Sequence, residues 1–157
     1  MGRRPNPVDP LRRKRRGVEL CTEKFLLATG SEAGRKAFGA ALELAATHGA
    51  ELHVLTVCRP PEIGDDVETE AVIENSQRHH RTLLEELKPT VLAKGVKGRF
   101  EVAVGHPAEQ IIYHADRHSV DLIVVGDRGR SKFARLLLGS VSKQVVQYAG
   151  RPVMVVR

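Results

Sequence analysis

Short apolar runs alternate with four-residue apolar repeats along this chain from Lys24 onward. Phe25-Leu26-Leu27-Ala28 is an apolar run closed by Thr29-Gly30-Ser31, the pattern of a buried strand leading into a turn. Ala33, Ala37, Ala41 and Ala45 then recur every fourth position beside Phe38, Leu42 and Leu44. This predicts a helix with a small-residue face that packs closely on a sheet, ending at Gly49. Leu52 to Val57 reads as a second strand, stopped by Pro60-Pro61. A helical stretch follows from about Val67 to Lys94, with Leu84, Leu87 and Val91 on one face and Pro89 expected to kink or split it.

The second half repeats the alternation. Phe100, Val102 and Val104 make a third strand, and Gly105-His106-Pro107 is a turn that places proline at the first helical position. Ile111, Ile112 and Ala115 follow at helical spacing. Leu122 to Val125 is a wholly apolar fourth strand ending at Gly126. A basic, glycine-containing loop reaches Gly139, a helix runs from Ser140 to about Ala149, and Pro152 to Val156 is the last strand. Strands that lose polar alternation are buried on both faces. Strict strand–helix alternation therefore predicts an α/β fold, a doubly wound five-stranded parallel sheet with helices on both faces, in a single domain.

Charge adds an N-terminal arm to that picture. Of 25 basic and 19 acidic residues, seven and one fall within residues 1–17, leaving 18 of each in the remainder. Residues 1–20 are read as a disordered basic arm and 21–157 as the folded domain. Pro5, Pro7 and Pro10 break any helical stripe and so disfavour insertion of the arm as an amphipathic helix. The arm is either a solubilising extension or an electrostatic contact. Arg3 to Arg16 are the only candidate for nucleic-acid binding, an unfavoured partner because aromatics are 4% of the chain. Cys21 and Cys58 are too few for a disulfide framework. No apolar run approaches the roughly 18 residues a membrane span needs, and none follows the basic N-terminus as in a secretory signal. The expectation is a cytoplasmic protein without a membrane partner.

Open doubly wound sheets bind ligands beyond the carboxyl ends of their strands, where connections diverge to opposite faces. Two strand ends here suit that role: Ala28-Thr29-Gly30-Ser31, and Gly126-Asp127-Arg128-Gly129-Arg130-Ser131. Gly126 and Gly129 let main-chain amides approach a ligand closely. Gly139-Ser140-Val141-Ser142 opens a helix whose free amides and dipole favour an anion, with Ser140 available as a cap or as a phosphate donor. From Gly126 to Lys143 five basic residues (Arg128, Arg130, Lys132, Arg135, Lys143) face one acid, Asp127, a field suited to a polyphosphate. There is no P-loop, and no GxGxxG follows the first strand.

The run Asp121-Leu-Ile-Val-Val-Gly-Asp-Arg-Gly-Arg, then Leu136-Leu-Leu-Gly-Ser-Val-Ser and Arg151-Pro-Val-Met-Val-Val, closely resembles the universal stress protein family. That family's nucleotide motif is Gly, two residues, Gly, nine residues, Gly, then Ser or Thr, and Gly126, Gly129, Gly139 and Ser140 fit it without a gap. The resemblance spans about residues 22–157. It implies the sheet order 3-2-1-4-5, a homodimer often made through the last strand, and ATP, with or without Mg2+, between strands one and four. Carried over by position, Ala28 and Thr29 belong to the first loop, and Val57 lines the adenine pocket. Gly126 lies near the ribose, and Gly129, Gly139, Ser140 and Val141 hold phosphates, with Arg128 and Arg130 as charged neighbours. One departure is the first loop. The family's Thr-Asp-Gly-Ser is here Thr29-Gly30-Ser31, and loss of one acceptor costs about 0.5–1.5 kcal/mol, roughly tenfold in affinity. Asp127 is a second oddity, since a carboxylate beside phosphates repels them unless a cation bridges or it points away.

Other residues receive plainer readings. His79 and His80 are expected on the surface. His114 and His118 have a metal-chelating spacing on a helix but no third ligand nearby in sequence, and are read as an exposed helix face. Cys58 is read as a buried inert thiol. Glu62, Asp65, Asp66, Glu68 and Glu70 form a solvated loop or a lid. No His or Asp is tied to Ser140 by a motif, so no catalytic residue and no metal site are assigned. The favoured function is an ATP-binding stress or signalling protein. The alternative is a dimeric interaction module with a vestigial crevice.

Overall fold

The computed structural model describes residues 24–29, 32–61, 67–127 and 138–157. The elements are β1 (Lys24–Thr29), α1 (Glu32–His48), β2 (Glu51–Cys58), α2 (Val67–Ala93), β3 (Gly98–Val104), α3 (Pro107–Arg117), β4 (Leu122–Gly126), α4 (Ser140–Tyr148) and β5 (Val153–Val156). The strands form one parallel sheet, as the alternation implies, in the order β3-β2-β1-β4-β5 that the family resemblance implies. The basic arm, the first loop's Gly30 and Ser31, the acidic segment 62–66 and the loop residues 128–137 lie outside the described residues.

The sheet divides the core by residue parity, because successive side chains in a strand point to opposite faces. Phe25 and Leu27 of β1 pack with Leu52 and Val54, under Ala37, Phe38, Ala41, Leu42 and Ala45 of α1 and Leu84 and Val91 of α2. Leu26 packs oppositely, with Leu55, Ala103, Ile123 and Val125, under Ala108, Ile111 and Ala115 of α3 and Val145 of α4. Two helices therefore cover each face. Ala37, Ala41 and Ala45 are all fully buried, so the small-residue stripe seats α1 against the sheet as expected. Gly49 ends that helix at φ +64°, a left-handed conformation that costs glycine little.

Pro89 does not split its helix: α2 runs unbroken over 27 residues. Proline removes its own amide donor to the preceding turn and crowds the carbonyl there, a local cost that does not have to end the helix. Burial of Leu84 and Val91, on either side of it, against the sheet holds the helix together. Among the described residues no helix is long and apolar enough to cross a membrane.

Candidate functional site

Ala28 pairs with Val125 in the parallel register, so the exits of β1 and β4 stand side by side. From β1 the sheet continues through β2 to β3, and from β4 to β5. This is the point where the connections diverge, and it opens a crevice of about 130 Å³. Closed sites for drug-sized ligands run to roughly 300–1,000 Å³. The crevice is an open rim, and residues 30–31, 62–66 and 128–137, which follow β1, β2 and β4 along the chain, are outside the described residues.

Seven of the residues expected at a site line this crevice: Ala28, Thr29, Val57, Gly126, Gly139, Ser140 and Val141. Arg128, Gly129 and Arg130 lie outside the described residues. The lining also contains Gly34, His80, Pro107, Ile111, Val125 and Ser142. Gly34 belongs there for a steric reason. A Cβ at this position would lie 2.7 Å from Thr29 Oγ1 and 3.1 Å from Thr29 Cα, so α1 meets the end of β1 only without a side chain.

The start of α4 differs from the sequence reading in two respects. Ser140 does not cap the helix: Gly139 occupies the cap position, no side chain caps it, and Ser140 is the exposed first helical residue. The Gly139 amide is already engaged, donating to Asp127 Oδ1 at 3.2 Å. The other Asp127 oxygen lies 3.4 Å from Arg157 Nε. Asp127 is thus buried, turned to the helix start and to Arg157, the residue after β5, and pinned in place. This answers its apparent misplacement beside phosphates. The buried Ser142 hydroxyl donates to the Gly126 carbonyl at 2.9 Å, a second tie between β4 and α4. The first amides of a helix have no acceptor within it; with Gly139 committed to Asp127, those left to face an anion are the amides of Ser140, Val141 and Ser142.

His80 corrects the expectation of a surface residue. It is half-buried, lines the crevice, and its Nδ1 is hydrogen-bonded to Thr56 Oγ1 at 2.6 Å. The signal was present in the sequence, since His80 lies one turn before Leu84 on the apolar stripe of α2. Burial, and then the neighbouring His79, push its pKa below the ordinary imidazole value. A depressed pKa means that the unfolded chain takes up the proton first. The contribution of His80 to stability is complete above pH 6.5 and is lost as pH falls through its lower folded value. Thermal melts between pH 7.5 and 5.5 are expected to show stability falling with pH, and His80→Gln to make that slope shallower. Parallel slopes would contradict the burial of an uncharged imidazole. Cys58 is fully buried, its Sγ 2.9 Å from Ser76 Oγ, and does not line the crevice.

A family model described as the universal stress protein family matches residues 22–157. Universal stress protein YxiE of Bacillus subtilis is 36% identical over 150 residues, covering 85% of this chain and 98% of that protein. The solved structure of protein MJ0577, a universal stress protein of Methanocaldococcus jannaschii, superposes with a TM-score of 0.77 at 26% identity, covering 86% of this chain and 95% of that one. A universal stress protein solved in complex with cAMP superposes with a TM-score of 0.69 at 26% identity, covering 86% of this chain and 97% of that one.

Proposed function

The chain belongs to the universal stress protein family, and from that premise we propose that it binds ATP in the crevice between β1 and β4 and works as a stress or signalling protein in the cytoplasm. The observation that carries the reading is the convergence of Gly126 at the exit of β4 with Ser140 and Val141 at the start of α4 on one opening. The dipole and first amides of α4 favour phosphate there. Val57, Ile111 and Val125 give the same opening an apolar wall for a base. The sequence that joins β4 to α4 carries Arg128, Arg130, Lys132 and Arg135, a basic field suited to phosphates. Among the described lining residues there is no carboxylate to hold Mg2+, so the ion would reach them on the phosphates. Binding of cAMP by a family member supports an adenine nucleotide as the ligand class.

Among the described residues the only titratable side chain lining the crevice is His80, tied to Thr56. Nothing there aligns a water for attack, and the reading is of a nucleotide-holding protein without dedicated hydrolysis. β5 leaves one edge of the sheet open, which supports a homodimer formed through that strand.

Isothermal titration with ATP and Mg2+, AMP and cAMP tests the site. Gly139 has φ −57°, open to any residue, so Gly139→Val adds bulk to the lining without forcing the backbone. Wild type is expected to bind at least one of the three, and Gly139→Val to lose tenfold or more. Equal affinities would remove the site. Absence of all binding, with no nucleotide retained in native mass spectrometry, would favour the interaction-module reading. The same spectra give the subunit count.

A further inference from the structure

We propose that Glu101, His114 and His118 form a divalent-metal site of the zinc class at the end of the sheet opposite the crevice. α3 begins beside the crevice at Pro107 and ends at Arg117, so His118 stands about 16 Å away along the helix. His114 and His118 are one turn apart and project on one face. That face meets β3, whose Glu101 carboxylate spans both imidazoles: Oε2 lies 3.0 Å from His114 Nδ1 and Oε1 3.3 Å from His118 Nε2. The donor atoms of the three residues all lie within 4.8 Å of one another. Zinc bonds of about 2.0–2.2 Å place tetrahedral ligand atoms roughly 3.5 Å apart. Small rotations of the imidazoles therefore close the set.

A second, independent observation points to a missing ligand. His53 of β2 is 4% exposed, and its ring centroid lies 5.0 Å from that of His118. Among the described residues, neither nitrogen of His53 nor Nε2 of His118 has an aligned hydrogen-bond partner, although Glu51 Oε1 is 3.1 Å from His53 Nε2. Buried polar nitrogens are rarely left unsatisfied; His53 Nε2 and His118 Nε2 have only a misaligned carboxylate oxygen within 3.3 Å, and His53 Nδ1 has no partner among the described residues, which points to a ligand that accepts lone pairs. Two imidazoles, a carboxylate and a third imidazole alongside suit a borderline divalent ion and not Mg2+ or Ca2+, which take oxygen. The competing cation is Arg99, half exposed, with Nη1 3.7 Å from Glu101 Oε1 and Nε 3.8 Å from Glu51 Oε1. Lys97 neutralises the other Glu51 oxygen at 3.0 Å.

The test is titration of the chelator-stripped full chain with Zn2+ by calorimetry, and with Co2+ by visible absorption. One ion per chain is expected at low-micromolar affinity or tighter, with the intense bands of tetrahedral Co2+. His114→Ala and His118→Ala should weaken binding at least tenfold, His79→Ala should leave it unchanged, and Arg99→Ala should tighten it severalfold by removing the competing charge. Circular dichroism checks the fold of each variant, and His118→Gln replaces the alanine variant if that one unfolds. No saturable binding by wild type, equal binding by the His114 and His118 variants, or loss on His79→Ala would overturn the site. Neither outcome bears on nucleotide binding at the other end of the sheet.

Discussion

Leu27→Ala is expected to lower the free energy of unfolding by about 2–5 kcal/mol. Leu27 is fully buried in the central strand β1, paired to Val54 on one side and Val124 on the other, with α1 packed above it. Every neighbour is held by its own element, so the cavity cannot collapse, and the cost falls toward the upper part of that range. Domains of this size are stable by about 5–15 kcal/mol in total. Urea denaturation should show a large drop in midpoint with little change in slope. Val72→Ala, at a position 55% exposed on α2, should stay within about 0.5 kcal/mol. If the two substitutions cost the same, β1 is not the centre of the sheet.

Asp127→Ala is expected to act on stability and on the crevice together. The Asp127 carboxylate is the acceptor for the Gly139 amide and the partner of Arg157. Its removal leaves a partly buried donor unpaired, a penalty of about 1–3 kcal/mol. It also frees the start of α4 from the end of β4, and the proposed phosphate-facing amides of Ser140 and Val141 then lose their fixed distance from Gly126. Nucleotide affinity is expected to fall at least tenfold, measured by the same titration as above. Asp127→Asn keeps an acceptor for Gly139 but loses the charge facing Arg157, and should lie between wild type and alanine in both readouts. An alanine variant with wild-type affinity would show that this tie does not organise the crevice.

The strands and helices were legible because each is a local pattern. Leu26 and Leu27 announce a strand buried on both faces, and Ala37, Ala41 and Ala45 a close-packed helix. Gly126, Gly139 and Ser140 were found by motif spacing, and the fold places all three on one opening. What could not be read depends on register and helix rotation. His80 reaches Thr56 across 24 residues, and only the rotation of α2 over β2 decides that meeting. Glu101 was legible as a residue facing away from Phe100 and Val102, but not as one beneath His114 and His118. The inward turn of Asp127 was not readable either, because the sequence shows a charge after Gly126 without showing that Gly139 waits opposite it.

That inward turn has an entropic consequence. A segment whose two ends are free must be closed before it can surround anything, and the closure cost grows with the logarithm of its length. Here a single carboxylate joins Asp127 to Gly139 in the folded chain. Substituting that carboxylate therefore restores the closure cost between the two anchors.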